Sequence, residues 1–154
     1  MPCATQSKIK MTTDSRERRI LFLDFDGVLH PTSAQRGQLF GRVPYLLQAL
    51  TGHSCGIVIS SSWRHHQSVE QLRANLPRDL QVRIVGCTGE CHIGKWPRYQ
   101  EIQNYLMANG NPSWRALDDS FLEFPKSCPE LLLCDPNVGF DMAQATSLSK
   151  WLIT

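Results

Sequence analysis

Apolar residues along the chain fall into two alternating patterns. Short runs at 20–23 and 56–59, the segment Trp114-Arg115-Ala116-Leu117, the group Val82, Ile84 and Val85, and Leu131, Leu132 and Leu133 near the end are too brief for helices. They read as strands buried on both faces. Helical spacing separates them. Leu46, Leu47 and Leu50 follow Pro44; Val69, Leu72 and Leu76 lie between a capping Ser68 and a terminating Pro77; Ile102 and Leu106 follow Pro97; Met142, Ala145, Leu148 and Leu152 follow Asp141. Strand and helix thus alternate from residue 20 to the end, which predicts an α/β fold: a mostly parallel five-stranded sheet inside a three-layer α/β/α sandwich. Residues 1–17 are polar and follow neither period, so they read as a disordered tail ahead of a single domain over 18–154.

Composition narrows the class without naming a function. A chain of 154 residues suffices for one core, and 42% hydrophobic with 19% charged residues is ordinary for a globular domain. No apolar run approaches a membrane span. The formal charge of +2 is too small to mark a nucleic-acid binder by itself. The six cysteines are dispersed, and no secretory leader is visible, so they read as reduced thiols in a cytoplasmic protein. Cys87, Cys91 and His92 form a zinc-like cluster with no second pair at matching spacing.

The strand ends carry the candidate chemistry. The first strand finishes on Asp24-Phe25-Asp26-Gly27, so two carboxylates crowd the sheet edge where open α/β folds place ligands. Carboxylates packed so closely repel, and a divalent cation is the economical remedy. The second strand ends in Ser60-Ser61-Ser62-Trp63-Arg64. A hydroxyl there can hold a phosphate oxygen without adding repelling charge, and the Arg64 guanidinium can fork onto phosphate. Arg98 sits in the first turn of the helix after Pro97, where a cation opposes the helix dipole unless carboxylates compensate. Lys95, three residues earlier, is the other candidate cation. The fourth strand ends on adjacent acids, Asp118 and Asp119. Residues 30–41, with Pro31, Gly37 and Gly41, read as a short flap beside the acidic edge.

Taken in order, these four motifs resemble those of the haloacid dehalogenase (HAD) superfamily of phosphatases. Together with Ser-Ser-Ser-Trp-Arg, Arg98-x-x-Glu101-Ile102 and Trp114-x-x-Leu117-Asp118-Asp119, they are similar to the HAD domain of Swiss-army-knife RNA repair proteins. The resemblance implies a Rossmannoid, HAD-like sheet with the first strand at its centre. It also implies a phosphomonoester hydrolase in which Asp24 is the nucleophile and Asp26 the general acid and base. Ser61 and Arg98 would grip the phosphoryl group, with Ser60 the alternative register and Arg64 and Lys95 further contacts. Mg2+ would be held by Asp24, the Asp26 carbonyl and Asp118 or Asp119. The intervals 26–61 and 85–98 are too short for a cap domain, so the implied substrate is a large one, such as a phosphorylated nucleic-acid end, with Trp63 or Phe40 available for base stacking. A small-molecule nucleotidase and a non-catalytic phosphate-binding module of the same fold are the alternatives.

Overall fold

The computed structural model describes residues 19–154; the tail expected at 1–17 lies outside them. Five strands, β1 (Arg19–Leu23), β2 (Gly56–Ile59), β3 (Ile84–Cys87), β4 (Ser113–Asp118) and β5 (Leu131–Leu133), form one sheet in the order β3-β2-β1-β4-β5. All four pairings are parallel, and β1 is central. The helices are α1 (Val43–Leu50), α2 (Val69–Ala74), α3 (Arg78–Gln81), α4 (Pro97–Ala108) and α5 (Met142–Leu152). This is the Rossmannoid three-layer sandwich that the alternation of patterns predicts.

Side-chain alternation divides the core into two layers. Leu21, Leu23, Ile57, Ile59 and Leu117 face one side and pack with Leu46 and Leu50 of α1, Leu72 of α2 and Leu148 and Leu152 of α5. Phe22, Val58 and Ala116 face the other, against Ile102 and Leu106 of α4. Phe22 is paired with Val58 on one neighbour and with Ala116 on the other. Because strand residues alternate with period two, the positions two steps on, Asp24, Ser60 and Asp118, come to the α4 side of the sheet at its C-terminal edge.

Several local expectations need correction. Val82 is not in β3; it follows the short α3 and is exposed, because Pro77 starts a new turn there instead of simply ending α2. Met142 is exposed, and Trp151 takes the inward place on α5. Among the cysteines, Cys55, Cys91, Cys128 and Cys134 are free thiols, whereas Cys87 is disulfide-bonded, so the reading of six reduced thiols does not hold for it. A sulfur engaged in a disulfide is not available as a zinc ligand beside Cys91 and His92. No helix among the described residues is long and apolar enough to cross a membrane.

Candidate active site

Three carboxylates meet where β1 and β4 end. Asp24 follows β1, Asp118 closes β4, and Asp119 is next in the chain; one oxygen from each lies within 4.8 Å of the other two. Asp24 and Asp118 are buried and Asp119 is half-buried. Gly27 makes room for this cluster: its φ is +74°, and a Cβ there would fall on the Asp119 carboxylate. Burial, followed by the Asp118 charge, pushes the Asp24 carboxyl well above its usual range. Burial also pushes Asp118 up to about 7, against the pull of Arg98, and raises Asp119. Three crowded hard oxygens that resist ionisation together suit a small divalent cation such as Mg2+, whose charge would offset theirs.

Arg98 is the cation that the fold itself brings. Its Nη1 lies 3.7 Å from Asp24 Oδ1 and 3.6 Å from Asp118 Oδ2, and Nη2 lies 3.8 Å from Glu123 Oε2. These are ion pairs too long for hydrogen bonds, and Nη1 has no hydrogen-bond partner although it is buried. Burial alone would lower the Arg98 pKa, but Asp118, Asp24, Glu123 and Glu101 together raise it. A guanidinium in the first turn of α4 is therefore compensated by carboxylates, as its position required.

The serines divide their roles. Ser60 is 2% exposed, and its Oγ has no partner. Ser61 Oγ accepts the Trp63 N–H at 3.3 Å and caps the 3-10 turn Ser62–His65. Thr88, just beyond β3, offers another buried hydroxyl without a partner, and its N–H donates to the Ile59 carbonyl at 2.9 Å. Sequence reasoning missed Thr88 because a Thr after a strand resembles any loop residue.

Arg64 is buried, and three of its nitrogens serve the protein. Nε donates to the Gly89 carbonyl at 3.0 Å, Nη1 donates to the Ser61 carbonyl at 2.9 Å, and Nη2 pairs with Glu101 Oε1. Glu101 also accepts the His92 N–H at 3.3 Å. Arg64 therefore fastens the loop after β2 to the loop after β3 and to α4. Lys95 is exposed, with Nζ 4.5 Å from the Trp96 ring centre, outside the carboxylate cluster.

Asp26 also lies outside that cluster. Its Oδ1 is 2.8 Å from His30 Nε2, and its Oδ2 accepts from Trp63 Nε1 at 2.8 Å. Trp63 packs edge-on against Phe25 and Phe40, at 5.3 and 5.8 Å between ring centres. It also lines a shallow cleft of about 240 Å³ with Ser62, His66 and Gln67. Phe40, by contrast, is committed to the aromatic cluster.

Residues 20–145 match the family model described as the HAD domain in Swiss Army Knife RNA repair proteins. No curated protein and no solved structure matches the chain.

Proposed function

Since the chain belongs to the family of HAD domains found in Swiss Army Knife RNA repair proteins, a family of phosphatase-type hydrolases, we propose that it is a Mg2+-dependent phosphomonoesterase acting on phosphorylated nucleic-acid ends. The observation that carries this reading is the meeting of the Asp24, Asp118 and Asp119 carboxylates with a buried Arg98 Nη1 that faces two of them without a hydrogen-bond partner.

In the proposed reaction Asp24 attacks the phosphorus in line. Its Oδ–P bond forms as the bond to the leaving oxygen breaks, and that oxygen takes a proton from Asp26. Water then gives a proton to Asp26 and bonds to phosphorus as the Asp24–phosphorus bond breaks. Arg98 and one strand-end hydroxyl hold the nonreacting phosphoryl oxygens, the positioning and charge stabilisation from which phosphoryl transfer gains most. Strand alternation and the unpartnered Oγ favour Ser60 for that hydroxyl over Ser61, which is occupied as a cap. Asp24, Asp118, Asp119 and the Asp26 carbonyl would hold Mg2+, which supplies charge neutralisation between the anionic phosphate and the nucleophile. Arg64 acts by holding the loops in place and not by touching phosphate, and Lys95 remains a rim contact.

Size selection follows from the missing cap. Between Asp26 and Ser60 the described structure has only the flap at 30–41, α1 and β2, and nothing there can enclose a small metabolite. A nucleic-acid end brings its own bulk, and the half-buried Trp63 ring offers a wall on which its terminal base could stack. The test is phosphate release from 3′- and 5′-phosphorylated oligonucleotides and from the matching mononucleotides, with and without Mg2+. A higher kcat/KM for the oligonucleotide, shrinking as salt rises, is expected. Equal or faster release from the mononucleotide at low salt favours the small-nucleotide reading. Tight binding of phosphorylated ends without release favours a binding module.

A further inference from the structure

Asp26 is more tightly held than a carboxylate with a 47% exposed side chain needs to be. Both of its oxygens are occupied, one by His30 Nε2 and one by the Trp63 indole N–H, each at 2.8 Å. The direction of the histidine bond follows from the opposite side of the ring. His30 Nδ1 accepts the Phe40 N–H at 3.2 Å, so the ring proton is on Nε2 and points at Asp26. With Nδ1 occupied and only 1% of the residue exposed, His30 has no path along which to hand a proton to solvent. It is a fixed donor and not a shuttle. Trp63 can only donate.

The fold holds both donors at some cost. Phe40 has φ +63°, a left-handed backbone that a bulky side chain adopts only under constraint. It is retained by edge-on packing against Phe25, His30 and Trp63, at 5.8, 5.4 and 5.8 Å, and it is this backbone that delivers the N–H to His30. Trp63 in turn sits in a turn capped by Ser61. Three separate segments, the strand-end loop, the flap and the turn after β2, therefore converge on one carboxyl group.

We propose that His30 and Trp63 are positioning residues that fix the Asp26 carboxyl for both proton transfers of the reaction, a role that rests on the phosphatase reading. A carboxyl oxygen has two lone-pair sites, so each oxygen can accept from its clamp and still carry or take a proton on the other site. The same group must meet the leaving oxygen in the first step and water in the second, and a carboxyl free to rotate would miss one of them part of the time. A misplacement of about 1 Å in such a transfer can cost on the order of a hundredfold in rate.

The demand for that proton depends on the leaving group, which gives a readout that a merely structural role would not move. The alkoxide of a ribose is strongly basic and must be protonated as it leaves, whereas p-nitrophenolate leaves without help. In His30→Phe, which leaves the Trp63 ring in place for a stacked base, the ratio of kcat/KM for a phosphorylated nucleotide end to that for p-nitrophenyl phosphate should fall about tenfold or more. His30→Gln, whose amide can accept from Phe40 and donate to Asp26, should recover most of it. Parallel losses on both esters, or an unchanged ratio, overturn the proposal. The clamp is also read without turnover from the Trp63 indole N–H signal in a 15N spectrum, identified by its loss in Trp63→Phe. In the wild type it should exchange slowly, and Asp26→Ala should shift it and speed its exchange. An indole proton that exchanges freely and ignores Asp26→Ala overturns the clamp whatever the enzyme does. A wild type that hydrolyses neither ester overturns the phosphatase reading and the catalytic role with it, while the indole signal still decides the clamp.

Discussion

Asp24→Asn separates chemistry from fold. The amide keeps the shape and the burial but is a very poor nucleophile, so phosphate release should disappear while thermal unfolding remains cooperative. Near-normal rates in this variant would exclude Asp24 as the nucleophile. The serine register is tested by Ser60→Ala and Ser61→Ala. The sequence favours Ser61, whereas the buried, unpartnered Oγ favours Ser60 in the proposed reaction. Ser60→Ala should cost kcat/KM about tenfold or more, and Ser61→Ala should act mainly on stability, by about 1 kcal/mol for a lost cap. A larger kinetic loss from Ser61→Ala would assign the phosphate contact to Ser61. Why the sequence could not settle this is physical: three successive hydroxyls carry no signal of which one ends the alternation and which one caps the following turn.

At the scale of elements, the strands and the longer helices were legible because continuous apolar runs and 3–4 spacing are direct imprints of burial. The edges were less so. The Val82 error arises where a proline both ends one helix and begins another, and the exposed Met142 where an apolar residue stands in the first turn of a helix beyond the reach of the core. The strand-end acids and Arg98 were legible since charge at the end of a buried run is unusual, and the structure brings Asp24, Asp118, Asp119 and Arg98 together. The Arg64–Glu101 pair was not, because its partners are 37 positions apart and each alone looks like a solvated charge. Both are buried, so Glu101→Gln leaves a buried guanidinium without its counter-charge. Urea unfolding should show a loss of about 3 kcal/mol, whereas a change below about 0.5 kcal/mol would mean that Arg64 finds water or another partner. Since Glu101 shares α4 with Arg98, phosphate release should fall as well.

For the whole molecule, an acidic cluster that holds Mg2+ as proposed would make stability, pH and metal interdependent. Burial raises Asp24 and pushes Asp118 up to about 7, so the folded protein keeps protons there that the unfolded chain has already released above its ordinary carboxylate range. The stability linked to those protons is complete below the unfolded value of 3.8 and is lost as pH rises through about 7. In chelator, Tm should therefore decline from about pH 5 to about pH 8. Asp118→Asn should flatten the decline and raise metal-free stability at the upper end by about 1 kcal/mol. Added Mg2+ should raise Tm more at pH 8 than at pH 5, because only the ionised cluster binds it. A wild type whose Tm in chelator rises over that interval would show that these carboxylates are not held protonated by the fold.

The most direct measurement on the central claim is to follow Asp24 itself during turnover. Wild-type protein mixed with a phosphorylated oligonucleotide and Mg2+, quenched in acid within the first turnover and digested, should yield an Asp24-containing peptide heavier by one phosphoryl group. The modification should be absent without Mg2+ and absent in Asp24→Asn. Phosphate released at the same rate by Asp24→Asn, with no phosphorylated Asp24 trapped in the wild type at any time, would contradict the account.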